Sequence, residues 1–84
     1  MVLFQTAYQK GDYIVRQGTN GDTFYIITDG QVRVTKRVDG KEEEIRLLSR
    51  GDYFGEQALL RTDMRTANVV ANSSPVECLV LDRE

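Results

Sequence analysis

Turn signals interrupt this chain about every 8 to 12 residues, the rhythm of short strands rather than of alternating strand and helix units. They stand at KGD (Lys10 to Asp12), GTNGD (Gly18 to Asp22), TDG (Thr28 to Gly30), VDGK (Val38 to Lys41) and SRGDY (Ser49 to Tyr53), where glycine or aspartate can take the positive φ of a tight turn. Between them lie FQTAY, YIVRQ, TFYIIT, QVRVTKRV, EIRLL, RTANVVA and VECLVLD, rich in Val, Ile, Thr, Tyr and Phe. Several alternate polar with apolar, as Gln31-Val32-Arg33-Val34 does, which is the period of a half-buried strand. The pattern predicts an all-β sandwich or barrel of seven or eight strands. The only proline, Pro75, falls between the last two segments, where a missing N–H does no damage to a ladder.

With 84 residues, 40% of them hydrophobic and 29% charged, the chain reads as one small domain, residues 1–84, able to bury about 60% of its unfolded surface. Thirteen acids against eleven bases, with no basic run longer than Lys36-Arg37, argue against a nucleic-acid surface. No apolar run approaches the roughly 20 residues of a membrane span, and the start of the chain carries no signal-peptide pattern. The lone Cys78 cannot form an internal disulfide, which points to a reducing, cytoplasmic setting, and within ECLVL it reads as a small buried hydrophobe. Zero histidines remove most zinc, copper and iron sites, leaving no metal expected, and remove Ser-His and Cys-His nucleophile pairs.

One segment departs from the β pattern. Glu56-Gln57-Ala58-Leu59-Leu60 contains good helix formers and no β-branched residue, directly after Gly55. The start of a helical turn favours an anion, Gly55 admits a close approach, and Arg65, eleven positions beyond Phe54 and expected to open the next strand, has a fork suited to phosphate. Glu56 can accept a hydrogen bond from a hydroxyl but would repel a phosphate. Together these describe a sugar-phosphate site; equally, Glu56 could serve as a helix N-terminal charge and Arg65 as a surface ion-pair partner.

Phe54-Gly55-Glu56-Gln57-Ala58-Leu59, with Arg65-Thr66-Ala67 beginning six positions beyond Leu59, resembles the phosphate-binding cassette of the cyclic-nucleotide-binding domain family. Upstream, Gly18, Gly21-Asp22, Phe24-Tyr25-Ile26-Ile27 and Gly30 resemble that family's first turn and strand, so the likeness runs through nearly the whole chain. The resemblance implies an eight-stranded jelly-roll barrel with a short cassette helix and flanking helices largely truncated. It implies that Arg65 pairs with the exocyclic phosphate oxygens and that Glu56 accepts from the ribose 2′-hydroxyl. Backbone groups near Ala58 and Ala67 would complete the cradle, with Gly55 and Gln57 lining it and Asp22 orienting Arg65 from behind. Asp22 could also simply bond its own turn backbone.

Within the family, R-T-A in place of R-A-A is similar to cyclic-GMP-dependent protein kinases rather than to protein kinase A. A hydroxyl at Thr66 can bond the 2-amino group that guanine has and adenine lacks. Arg46, eight residues before Phe54 and preceded by Ile45 at the same edge of the expected site, has a fork suited to guanine O6 and N7. Thr66 as an ordinary strand residue and Arg46 as a solvated one remain open on residues alone. RTANVVA with ECLVLDR is most similar to the second cGMP-binding site of those kinases.

The reading is a regulatory, non-enzymatic cGMP-binding module whose partners would be cGMP and the kinase domain and neighbouring nucleotide-binding domain of its parent. Its ligand would be cGMP, with no cofactor. Three rivals stand beside it. A cAMP domain would give Thr66 and Arg46 no special meaning, a cupin-type enzyme would need histidines, and a degenerate member would lack Glu56 or Arg65. The chain ends at Asp82-Arg83-Glu84, where the lid helices of the family would begin, so lower affinity than in an intact domain is expected.

Overall fold

The structure of the chain, a computed structural model, describes residues 2–83. Ten strands follow in order: β1 (Val2–Tyr8), β2 (Tyr13–Val15), β3 (Asn20–Gly21), β4 (Thr23–Asp29), β5 (Gln31–Val38), β6 (Lys41–Ser49), β7 (Tyr53–Phe54), β8 (Asp63–Met64), β9 (Asn68–Ala71) and β10 (Val76–Asp82). A 3₁₀ turn, Glu56–Leu59, stands between β7 and β8. Eight of the strands form two antiparallel four-stranded sheets, ordered β1-β10-β4-β7 and β2-β9-β5-β6, and β3 pairs with β8 as a separate ribbon. All seven segments read from the alternation correspond to strands, and the predicted all-β class holds.

The core lies between the two sheets. Ile27, Phe54, Val76, Cys78 and Val80 come from the first sheet; Val15, Val32, Leu48, Val69 and Ala71 come from the second. In β10 the two-residue period is plain: Val76, Cys78 and Val80 are buried while Glu77 and Leu79 are only half-buried. Burying one such aliphatic side chain contributes roughly 1.5–3 kcal/mol, whereas a partly exposed ion pair such as Arg83–Asp22 (2.9 Å) contributes about 0–1 kcal/mol. The apolar seam therefore holds the sheets together. Burial pushes the Cys78 thiol up to about 11, so the thiolate is suppressed at neutral pH. Labelling of Cys78 by a disulfide reagent at pH 8 is expected to track global unfolding across a urea titration; rapid labelling of the native protein would show instead that this strand opens locally.

The chain passes from one sheet to the other at a single residue, Gly30, between β4 and β5. The return from β9 to β10, residues 72–75, lies against that corner: Gln31 N–H donates to Ser73 Oγ (3.0 Å), Asn72 N–H to the Gln31 carbonyl (2.8 Å) and Asn72 Nδ2 to Gln31 Oε1 (2.7 Å). The Ser74–Pro75 bond is cis.

Two turns are built alike. In Gln9-Lys10-Gly11-Asp12 and in Ser49-Arg50-Gly51-Asp52 the aspartate Oδ2 accepts from the first residue's N–H, at 2.9 Å in each. In each, the glycine N–H and aspartate carbonyl then grip one residue across the sheet, Ala71 for the first and Ile27 for the second. β5 and β6 form a hairpin closed by Asp39-Gly40, both at positive φ (53° and 78°) as the strand twist of a two-residue turn requires. Cross-strand partners Lys36↔Glu43 and Arg37↔Glu42 carry β6 beyond the predicted EIRLL, out to Lys41. Val34 faces Arg46 and Thr35 faces Glu44, so Ile45 has no opposite number and forms a bulge.

Candidate functional site

Arg65 sits between β8 and β9, not inside a strand as expected, because distant backbone groups take its own. Its N–H donates to the Thr19 carbonyl and its carbonyl accepts from the Gly18 N–H, both at 2.8 Å. This pairing turns the side chain inward, where it is only 7% exposed. Gly21 and Gly55 wall the guanidinium: a Cβ at Gly21 would overlap it, and one at Gly55 would stand 2.9 Å from Nη1 and 2.9 Å from the Thr23 carbonyl oxygen. Gly55 adopts φ 82°, ψ 19°, a left-handed conformation that leads into the 3₁₀ turn and that a side chain would strain. Nη2 donates to the carbonyl (2.8 Å) and to Oγ1 (3.0 Å) of Thr23. Nη1 is buried and has no partner among the described residues, nor does any carboxylate among them form an ion pair with this cation.

Arg65 lines a cleft of about 180 Å³. Gly55, Glu56 and Gln57 come to it from the 3₁₀ turn, Thr66 and Ala67 from the approach to β9, and Arg46 from β6. Its apolar lining is Phe54 of the cassette together with Val15, Val34, Leu48, Val69 and Tyr53. Sequence reasoning passed over the last five; the alternation that marks Val34 and Leu48 as inward-facing was the available signal. The cleft thus combines a buried cation, an exposed acid in Glu56, a hydroxyl in Thr66 and a second, exposed cation in Arg46. That set can hold an anion next to a hydroxyl-bearing group.

Three expected positions differ. Ile45 is the bulge residue, 53% exposed and absent from the cleft lining, because Arg46 and Leu48 take the cleft face of β6. Ala58 is buried and its N–H donates to the Gly55 carbonyl at 3.1 Å, an i→i+3 bond that closes the 3₁₀ turn, so this amide is used internally. Asp22, expected to orient Arg65, directs Oδ1 to Thr62 Oγ1 (2.7 Å) and Arg83 Nη2 (2.9 Å) instead. Thr23, its neighbour, holds Arg65.

The family model for the cyclic nucleotide-binding domain matches residues 5–84. The chain belongs to the cyclic nucleotide-binding domain family. Among the relatives of this domain, a cGMP-dependent protein kinase (isozyme 2) of Drosophila melanogaster is 59% identical over 99% of the chain and 9% of the kinase. Human cGMP-dependent protein kinase 2 is 48% identical over 92% of the chain and 10% of its own length. The chain therefore spans about a tenth of the curated relatives it matches. The regulatory domain of Toxoplasma gondii PKA, solved with cAMP, superposes with TM-score 0.87 at 38% identity, covering 96% of this chain and 31% of that one. The catabolite activator protein of Thermus thermophilus superposes with TM-score 0.89 at 34% identity, covering 96% and 38%. These neighbours share the two-sheet architecture of this cyclic nucleotide-binding domain. Among its described residues no helix is long and apolar enough to cross a membrane.

Proposed function

We propose that this domain binds cGMP in preference to cAMP and, within a cytoplasmic Ser/Thr protein kinase, relieves autoinhibition when the nucleotide binds. The observation that carries the reading is the buried Arg65 guanidinium, whose Nη1 has neither an acceptor nor a carboxylate partner among the described residues. An unsatisfied buried charged donor costs more than the 1–3 kcal/mol of a neutral one, and an anionic phosphate oxygen removes that cost. Glu56, on the same cleft, would accept from a ribose 2′-hydroxyl; Gly55, Gln57 and Ala67 line that cleft with it. The cleft is smaller than the roughly 300 Å³ at which ligand pockets usually begin. It suits a ligand whose phosphate and ribose are enclosed while its base lies outward, towards Thr66, Arg46 and Tyr53. The cGMP-dependent kinases among the relatives support the guanine assignment and the coupling to a kinase domain; a neighbouring nucleotide-binding domain is the second partner in this reading. Such coupling requires only that the nucleotide bind one state of the parent more tightly than the other.

Calorimetric titration with cGMP and cAMP side by side tests the reading. Binding of cGMP roughly five- to a hundredfold tighter is expected, since two added hydrogen bonds at about 0.5–1.5 kcal/mol each supply a ratio in that range. Thr66→Ala is expected to lower the ratio by roughly three- to tenfold through weaker cGMP binding, leaving cAMP affinity in place. An unchanged ratio would sink the role of Thr66, and preference for cAMP in the parent sequence would sink the guanine assignment altogether.

A further inference from the structure

Arg65 is gripped at one end by a single residue. Nη2 donates twice to Thr23, to its carbonyl oxygen at 2.8 Å and to Oγ1 at 3.0 Å. The threonine hydroxyl, having accepted, passes its own hydrogen to the Tyr25 hydroxyl at 3.2 Å. The Tyr25 ring lies nearly parallel to Phe54, with centroids 4.7 Å apart and planes 10° from each other, and the two residues face one another across β4 and β7. A chain of contacts thus runs from the buried guanidinium to the residue that leads into Gly55.

A planar group held at one nitrogen by a single acceptor can swing about that contact. Two acceptors on the same nitrogen, with glycine backbone on either side, fix the plane, and with it the direction of the unpartnered Nη1. We propose that Thr23 is the positioning residue for nucleotide binding: its hydroxyl, oriented by Tyr25, holds the Arg65 fork so that Nη1 faces the phosphate. The adjacent Asp22 is committed to Thr62 and Arg83. The inference rests on the reading of Arg65 as the phosphate ligand. Valine keeps the shape of threonine without the acceptor, and serine keeps the acceptor without the methyl group, so the pair separates packing from hydrogen bonding.

The test compares wild type, Thr23→Val and Thr23→Ser by calorimetry with cGMP. Thr23→Val is expected to bind roughly tenfold more weakly and Thr23→Ser within about twofold of wild type, at similar unfolding midpoints. A second readout needs no nucleotide: the Arg65 side-chain nitrogen signals in NMR, identified by their loss in Arg65→Lys. Separate Nη1 and Nη2 signals are expected in wild type and Thr23→Ser, merging through free rotation in Thr23→Val. Separate signals and wild-type affinity in Thr23→Val would overturn the proposal, as would a serine variant as weak as the valine one. Failure of wild type to bind any cyclic nucleotide would overturn the reading of the site instead, and the NMR comparison would still decide whether Thr23 holds Arg65. Thr23→Ala, which also lacks the acceptor, takes the place of valine under the same criteria should that variant not fold.

Discussion

Gly21→Ala is expected to weaken binding of both cyclic nucleotides by about a hundredfold or more while leaving the unfolding midpoint within a degree or two of wild type. Gly21 has an ordinary backbone conformation, so alanine strains nothing locally. Its Cβ would overlap the Arg65 guanidinium, the far end of a flexible side chain, which yields where a backbone atom would not. The arginine then leaves its slot between Gly21 and Gly55. Two charge-assisted hydrogen bonds to phosphate at about 1.5–3 kcal/mol each go with it, and about 3 kcal/mol is a factor of more than a hundred. Arg65→Lys is expected to approach the same loss, since a point charge cannot reproduce the fork. Titration of Gly21→Ala with cGMP and cAMP, with a thermal melt of each, checks the prediction. Retained affinity would remove Arg65 from the phosphate site, whereas a collapsed melt would show that the glycine serves the fold.

Gly30→Ala is expected to act in the opposite way, destabilising by about 2–4 kcal/mol and lowering the midpoint by on the order of 10 °C or more. Two effects combine there. Gly30 sits at φ 87°, and a Cβ would stand 2.6 Å from the Pro75 carbonyl oxygen and 3.0 Å from the Val76 Cα, backbone atoms of the opposing corner. Gly11 offers an internal control. Its φ is 95° but nothing lies within 4 Å of a Cβ, so Gly11→Ala should show the conformational strain alone, about 1–2 kcal/mol. Chemical denaturation of both variants isolates the contact between the two crossings. Equal losses in the two would mean that this contact contributes nothing.

The long strands were legible because five or more residues of alternation carry a period, and the β class followed from them. Asn20–Gly21, Tyr53–Phe54 and Asp63–Met64 were not, since two residues have no period, yet these pairs frame the site. The segment around Arg65 read as strand because Thr66 and the valines beyond it favour one; its true course is set by Gly18 and Thr19, nearly fifty residues earlier in the chain. The cassette spacing brought Arg65, Glu56, Thr66 and Arg46 to one cleft. It could not choose between neighbours. Asp22 and Thr23 lie side by side at the entry to β4, and which of them meets the guanidinium depends on a path that the local sequence does not encode. Ile45 was misplaced for a related reason: Glu44-Ile45-Arg46 looks like regular alternation, and only pairing with β5 exposes the extra residue.

That extra residue divides the hairpin in two. On one side Arg46 and Leu48 belong to the cleft; on the other, residues 36–44 form a charged, exposed arm ending at Asp39-Gly40. Because the bulge takes up the offset, the arm can lengthen or shorten by whole residue pairs without turning Arg46 away from the cleft. The reading head and the arm are thus separate modules of variation, free to diverge on different schedules, and the tip is where a sensor built on this domain would carry its reporter.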